Sequence, residues 1–216
     1  MSAIVAISGT PKVKDSATAA LIAHIEKVMG TPVTTHQATR LIRAKDPSSA
    51  IVDIVAADVV LFAFPLYVDS LPAPLIKVMT MLEASVASSG ADHRPRVYAV
   101  CNCGFYESSH NELALDIVAN FCDRTDWAWR YGIGIGSGGF ISTAGGSSPK
   151  GPAANVFAAL DAMVQAIQAD DGPRPNAFVT PKMPRLLYRL GADWGWRTLA
   201  KKYHASKLLK ARPYAP

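Results

Sequence analysis

The chain has 216 residues, of which half are apolar or aromatic and 18% are charged. This composition excludes a disordered polypeptide and favours one domain with a small appendage. No apolar run in the sequence approaches the roughly 20 residues of a membrane-spanning helix, and the start has no signal-peptide pattern. The three cysteines, Cys101, Cys103 and Cys122, are too few for a disulfide framework. We therefore expect a cytoplasmic protein.

The net charge of +5 is divided unevenly along the chain. From Pro173 onward, ten Lys or Arg residues stand against one acid, Asp193. The preceding 172 residues hold twelve bases and sixteen acids, so they are mildly acidic. We predict a body at residues 1–172 and a basic, helical C-terminal extension at residues 173–216. Because the positive charge belongs to the extension, we expect no nucleic-acid partner.

Short β-branched runs alternate with helical patterns along the body. The runs that predict strands are residues 4–7, 33–36, 59–64, 97–101 and 127–135. Helical periodicity is found at residues 21–29, 51–56, 73–87, 113–121 and 156–167. This alternation predicts an α/β three-layer sandwich, with a five-stranded parallel sheet covered by helices on both faces.

Three unusual segments follow the first, third and fourth predicted strands, at residues 8–18, 65–75 and 102–107. In a doubly wound sheet, ligands bind beyond the carboxyl ends of the strands, at the point where the strand order reverses. For the strand order 2-1-3-4-5, these three segments gather at that point. They are therefore the candidate ligand-binding loops.

The first segment, residues 8–18, is rich in hydroxyl groups and also carries Lys12 and Lys14. The helix that follows offers unpaired N–H groups and the positive end of its dipole, which suit a phosphate. We favour phosphate binding here over the alternative, in which Ser16 or Thr18 is an ordinary helix cap. The segment matches neither the P-loop nor the Rossmann glycine pattern.

The second segment, residues 65–75, is apolar for a surface loop, and Pro65, Pro72 and Pro74 stiffen it. A stiff apolar loop beside a phosphate site suits a flat ring. The alternative is a strand-to-helix turn with Tyr67 packed in the core.

The third segment, residues 102–107, combines a polar edge with aromatic side chains. Gly104 permits close backbone approach, and Asn102 supplies hydrogen-bonding groups. Phe105 or Tyr106 can lie against a ring, whereas Cys103 can simply be a small apolar side chain. The alternative is a packed aromatic turn without a ligand.

Together the three segments resemble the binding loops of the flavodoxin-like NAD(P)H-dependent oxidoreductases, the relatives of FMN reductase and quinone reductase. Residues 8–12, followed by 16–18, look like the family's Gly-Ser-Pro-Arg phosphate loop with its later Asn/Ser-x-Thr. Residues 65–67, leading to 72–77, are similar to its Pro-x-Tyr flavin loop, and residues 102–107 stand where its third flavin loop stands. The resemblance covers about residues 3–168, and departs at Thr10 for the usual Ser, Lys12 for Arg and Ala17 for a polar residue.

The resemblance implies an enzyme that binds FMN, takes NAD(P)H as co-substrate and passes electrons to a small-molecule acceptor such as a quinone, nitro compound or free flavin. It also implies a homodimer. No protein acid–base dyad is required, because the cofactor carries the chemistry. The implied cofactor-binding residues are Ser8, Thr10, Lys12, Ser16, Ala17, Thr18, Pro65, Leu66, Tyr67, Val68, Asn102, Cys103, Gly104, Phe105 and Tyr106.

Two other functions remain open. One is an electron-carrying flavodoxin without a nicotinamide site, although flavodoxins are usually strongly acidic. The other is a non-catalytic interaction protein that keeps the fold without FMN. The G-x-G-x-x-G match at residues 134–139 is a weak dinucleotide signal because no helix follows at once, so we expect a flexible loop near the flavin or nicotinamide.

The basic extension also carries aromatic and leucine side chains, including Tyr188, Trp194 and Trp196. One interpretation is a peripheral membrane element. We favour a helical pair that packs on the body or on a second subunit, with its bases facing the solvent.

Overall fold

The structure, a computed structural model, describes residues 3–12, 16–89, 93–143 and 150–211. The chain divides into two compact units, Met1–Lys182 and Met183–Pro216. The division therefore falls later than the composition boundary at residue 172, because a strand follows that boundary and joins the sheet of the first unit.

Within the described residues, the first unit contains a sheet of six strands, and every pair of neighbouring strands is parallel. The strands are β1 (Ile4–Ser8), β2 (Thr34–Gln37), β3 (Val59–Pro65), β4 (Arg96–Asn102), β5 (Ala128–Ile135) and β6 (Ala177–Val179). Their order is β2-β1-β3-β4-β5-β6. The five predicted strands are present in the predicted order, but the prediction of five strands is wrong, because β6 extends the sheet beyond β5.

Strand β6 is an edge strand that pairs with the end of β5, with Ile133 beside Ala177. It has only three residues, which is too short for a periodic apolar pattern to indicate a strand. The Asn176 Oδ1 atom accepts a hydrogen bond of 2.8 Å from the Gly132 N–H, which ties the start of β6 to β5.

Helices cover both faces of the sheet. Helices α1 (Ala17–Met29) and α7 (Ala154–Ala169) pack on one face. On the other face are the short α2 (Ala38–Leu41) and the longer helices α3 (Ser48–Val55), α4 (Ala73–Ser89) and α5 (Glu112–Thr125). A further short helix, α6 (Gly138–Ile141), follows β5. The predicted three-layer α/β architecture is therefore confirmed.

Alternate residues of the central strands enter the two separate cores. In β3, Val60, Phe62 and Phe64 face one helical layer, whereas Val59, Leu61 and Ala63 face the other. Burial of a side chain of Val, Leu or Phe contributes about 1.5–3 kcal/mol. Double-sided burial explains why the strand sequences are continuous apolar runs rather than alternating ones.

The second unit contains helix α8 (Arg185–Lys202) and a 3₁₀ helix, Ser206–Lys210. Not one side chain of α8 is buried. The expected helical pair is thus one long helix and one short 3₁₀ segment. In the part of the chain that the structure describes, we find no helix with the length and apolarity to cross a bilayer.

Candidate functional site

The loop between β1 and α1 places buried hydroxyl groups at the carboxyl edge of the sheet. Ser8 and Thr10 are each 2% exposed. Between them, the Gly9 N–H donates a 2.8 Å hydrogen bond to the carbonyl oxygen of Ala63 at the end of β3. A Cβ atom on Gly9 would lie 2.7 Å from the Cβ of Phe64, so this close approach requires glycine. Lys12 is exposed, and Lys14 lies outside the described residues.

Ser16 is the N-cap of helix α1. Its Oγ accepts a 3.1 Å hydrogen bond from the Ala19 N–H. A hydroxyl group accepts and donates at once, so capping leaves the Ser16 proton for another acceptor. The buried Ala17 and Thr18 belong to the first turn, where an α-helix leaves its N–H groups without intrahelical partners. The two alternatives for this segment, cap and anion site, are therefore compatible.

Asn102, at the end of β4, connects the three loops. Its Oδ1 accepts a 3.0 Å hydrogen bond from the Thr18 hydroxyl, which joins β4 to the start of α1. Its backbone carbonyl accepts a 2.8 Å bond from the N–H of Leu66, the residue that follows β3. Both residues of the Thr18–Asn102 pair are buried, so the contact is held away from water. An amide nitrogen carries two hydrogens, so the Nδ2 group of Asn102 adds donor capacity at this edge.

The loop after β3 turns back on itself at Tyr67 and Ser70, which exchange two backbone hydrogen bonds of 2.9 and 3.1 Å. The two residues between them, Val68 and Asp69, have φ angles of 51° and 57°. A type I′ turn requires positive φ at both central positions, and a β-branched residue there is strained. Val68 is 97% exposed and Tyr67 is 46% exposed. Tyr67 therefore does not pack in the core, which was the alternative for this segment.

The loop after β4 is held by a hydrogen bond to β5, and part of it is exposed to solvent. The buried Cys103 donates its N–H to the Ile135 carbonyl at 2.9 Å. Gly104 is exposed, and a Cβ atom added to it would meet nothing within 4 Å. Phe105 is 53% exposed, and its ring lies 4.3 Å from the His110 ring, measured between centroids. This loop thus offers an open glycine and an exposed aromatic face.

A polar cluster lies beneath that loop. The fully buried Asn111 donates Nδ2–H bonds to the Ser108 carbonyl at 2.8 Å and to the Cys103 sulfur at 3.4 Å. Burial raises the pKa of the Cys103 thiol, and the hydrogen bond from Asn111 opposes that rise only in part. The thiol therefore stays protonated near neutral pH. Its burial and its contact with Asn111 show that Cys103 supports the loop by packing.

Glycines in the stretch after β5 allow the backbone to pack closely against neighbouring segments. A Cβ atom on Gly136 would lie 2.2 Å from the carbonyl oxygen of Tyr106, and one on Gly138 would lie 2.9 Å from the Nδ2 of Asn102. Where we expected a flexible loop, helix α6 begins at Gly138, whose N–H donates to the Cys103 carbonyl at 2.7 Å. Residues 144–149 of that expected loop lie outside the described residues. Of these two close-packed glycines, Gly136 belongs to the G-x-G-x-x-G match, whereas Gly138 occupies an unspecified position of that motif.

The structure brings most of the predicted site residues together at the carboxyl edge of β1, β3 and β4. The hydroxyl residues form the β1 side, Leu66 and Asn102 form the floor, and Tyr67, Val68 and Phe105 are exposed at the rim. Tyr106 is held through its backbone, since its carbonyl accepts a 3.1 Å bond from the Thr180 hydroxyl after β6. Thr180 supports the site and was not predicted, whereas Gly138 lies in the segment that was expected to be a loop near the flavin or nicotinamide. Whether any of these residues binds a ligand stays a prediction.

No family model matches the chain, and a search of curated proteins finds no match. Solved structures with a similar fold do exist. An NADH:FMN oxidoreductase in its apo form is 16% identical with a TM-score of 0.57, over 81% of this chain and 92% of that chain. An NADPH-quinone reductase from P. pentosaceus is 14% identical with a TM-score of 0.54, over 77% of this chain and 97% of that one.

A third similar structure, an oxidoreductase from Corynebacterium diphtheriae, is 11% identical with a TM-score of 0.54. It covers 78% of this chain and 98% of its own. At such low identity the likeness concerns the fold. The chain therefore has the flavodoxin-like fold that these oxidoreductases share, as the resemblance in its sequence implied.

Proposed function

We propose that this protein is an FMN-dependent oxidoreductase that takes hydride from NAD(P)H and passes electrons to a quinone, nitro compound, free flavin or similar acceptor. One observation carries the proposal. The three candidate loops converge at the carboxyl edge of β1, β3 and β4, with buried hydroxyl groups on one side and exposed apolar groups on the other. The strand order reverses between β1 and β3, and this is where doubly wound folds bind ligands.

The donor set on the β1 side fits the phosphate of FMN. Ser8, Thr10 and Ser16 supply hydroxyl groups that are at most 9% exposed. The first turn of α1 adds backbone N–H groups and the positive end of the helix dipole. Hydrogen bonds to a charged group contribute about 1.5–3 kcal/mol each, so a few of them suffice to hold a phosphate.

The rim fits a flat, conjugated ring. Tyr67 and Phe105 offer aromatic surface, and Val68 offers an aliphatic surface. Gly104 leaves room for close approach of a ring. The Nδ2 group of Asn102 supplies donors at the same edge. We infer that these donors favour the electron-rich form of the ring.

When bound, FMN supplies the two-electron chemistry, accepting hydride from NAD(P)H and delivering electrons to the acceptor. The work of the chain is to hold the phosphate, to orient the ring and to keep one face open to both substrates in turn. The buried side chains of Leu66 and Asn102 close the floor of the site to water.

A homodimer joined near this edge is part of the same proposal. Several apolar side chains beside the candidate site are exposed in the single chain, namely Tyr67, Val68, Ile76, Phe105 and Leu113. A second subunit that covers part of them would complete the walls of the ring site.

The decisive experiment is a titration of the purified full-length protein with FMN. Binding is expected to quench the flavin fluorescence and to make the visible flavin absorbance co-elute with the protein. The loaded protein is then mixed with NADH or NADPH and a quinone, and nicotinamide oxidation is followed in the steady state. FMN binding with steady turnover supports the proposal.

The same two measurements separate the rival functions. An electron-carrying flavodoxin would bind FMN without sustained nicotinamide oxidation. A non-catalytic interaction protein would not bind FMN at all. Either result would overturn the proposed function.

A further inference from the structure

We propose that the C-terminal unit is an interfacial anchor that binds the surface of an anionic phospholipid bilayer. The unit is formed by α8 and the 3₁₀ helix that follows it. The proposal is independent of the proposed function, because it concerns residues outside the candidate flavin site.

The apolar side chains of this unit are unusually exposed. Leu187, Leu190 and Trp194 are 56%, 55% and 72% exposed. Their spacing of three and four residues places them along one stripe of α8. Trp196, Tyr203 and Leu208 are each 68% exposed as well. The C-terminal unit buries none of these groups itself, so they need another apolar environment to cover them.

Cations continue the same stripe. Arg197 and Lys201 follow Trp194 at helical spacing, so the stripe is apolar in its first half and basic in its second. Long basic side chains can lay their stems on an apolar layer while their charges reach the phosphate level. Trp and Tyr favour that boundary too, because each has an apolar body and a polar atom.

A cleft of about 580 Å³ lies between α8 and the 3₁₀ helix, within this unit. It is lined by Trp196 together with the cationic Arg197, Lys207 and Lys210, with Asp193 as the acid among them. An indole ring beside three cations is chemistry that suits a phosphate headgroup whose acyl chains lie against an apolar surface.

Charge decides between a bilayer and a second copy of the chain. Residues 185–210 hold seven Lys or Arg residues and one acid. In a two-fold dimer the same patch meets itself, so these cations would face each other across the interface. An anionic bilayer neutralises them instead. The leucines argue against a nucleic acid, since phosphates and base edges offer them little apolar surface.

The test uses the full-length protein and two kinds of vesicle, phosphatidylcholine alone and phosphatidylcholine mixed with phosphatidylglycerol. Co-sedimentation is expected only with the anionic vesicles, together with a blue shift of tryptophan fluorescence. Raising the salt to about 1 M is expected to weaken binding, because the screening length falls to about 3 Å. No binding to anionic vesicles at low salt would overturn the proposal.

Substitutions of exposed bases test whether vesicles bind the C-terminal unit itself or are attracted by the net charge of the whole protein. Changing Arg197→Gln, Lys207→Gln and Lys210→Gln together is expected to lower the partition coefficient on the order of 100-fold at low salt. The matched control changes three exposed bases of the first unit, Arg40→Gln, Arg43→Gln and Lys45→Gln. It removes the same net charge and is expected to leave binding unchanged. Equal losses in the two variants would refute a specific surface.

The apolar stripe is tested separately with the double variant Leu190→Ser and Trp194→Ser. Both side chains are exposed, so the fold should persist, while vesicle binding is expected to fall roughly tenfold or more through lost apolar burial. Sedimentation velocity of the same variant tests the rival occupant. Conversion of a dimer to a monomer, with vesicle binding unchanged, would assign the stripe to a second subunit and overturn the anchor.

Discussion

At the scale of single residues, Ser16 combines a structural and a ligand-facing role. Its Oγ caps helix α1 through the Ala19 N–H, and its hydroxyl proton stays available. Loss of such a cap costs about 1 kcal/mol, so Ser16→Ala would mix two effects. An aspartate at the same position keeps the cap and adds a negative charge, which separates them.

We therefore expect Ser16→Asp to retain or raise the melting temperature and to weaken FMN binding by about 100-fold or more, because the carboxylate repels the phosphate. The matched control is Ser48→Asp, which places the same charge at the exposed start of α3. Fluorescence titration with FMN and thermal unfolding are the measurements. Equal FMN affinity in the two variants would move the phosphate away from this loop.

At Gly104, too, an effect on folding can be separated from an effect on ligand binding. A Cβ atom there meets no atom of the chain within 4 Å, so Gly104→Val should leave the circular dichroism spectrum unchanged. A branched side chain at the rim is expected to lower FMN affinity about 10- to 100-fold by crowding the ring. Gly172→Val, at another open and exposed glycine, is the control. Full flavin binding by Gly104→Val would place the ring elsewhere.

At the scale of elements, the hairpin after β3 stores backbone strain beside the candidate site. Val68 occupies the left-handed region although its side chain is 97% exposed, so packing within the chain does not compensate for the strain. Strain of this kind is concentrated at functional sites. It is consistent with selection of an aliphatic side chain at the rim at a cost in stability.

The substitution Val68→Asn is expected to stabilise the protein by about 1 kcal/mol, since asparagine tolerates positive φ in a type I′ turn. FMN affinity should fall in the same variant if the valine contacts the ring. Thermal unfolding checks the first effect and fluorescence titration the second. Val52→Asn, at an exposed position within α3, should give no stabilisation. A melting temperature that does not rise for Val68→Asn would contradict the assignment of strain.

At the scale of the whole molecule, burial of ionisable groups sets a pH limit on stability. Burial raises the pKa of the thiols of Cys101, Cys103 and Cys122 and of the phenols of Tyr98 and Tyr131. The folded state therefore keeps protons that the unfolded chain loses. The free energy of unfolding has its full value below the unfolded thiol pKa and falls as the pH rises through it.

We expect the free energy of unfolding to decline from about pH 8.5 upward, with a second contribution from the tyrosines above about pH 10. Urea unfolding at a series of pH values measures it. The variant Cys122→Ala removes one of the buried thiols without adding bulk to the core, so its decline should be shallower. A stability that is flat to about pH 10 in the parent protein would show that these groups are not buried as described.

Several features were determined by the sequence itself. The double-sided apolar runs of β1, β3 and β4 indicated a parallel sheet between two helical layers, because such continuous runs are typical of parallel strands that are covered on both faces. The hydroxyl-rich segment at residues 8–18 indicated a polar loop at the start of α1. The change of charge sign near residue 172 separated a basic extension from the body.

Other features were decided only by tertiary contacts. The hydrogen bond between Thr18 and Asn102 joins residues 84 positions apart, and the close approach of Gly138 to Asn102 depends on how β5 ends. Strand β6 exists because β5 offers it an unpaired edge, not because three residues favour extended structure. Local patterns report how each segment buries its own side chains. They carry no signal for contacts between distant segments, and the floor of the site consists of such contacts.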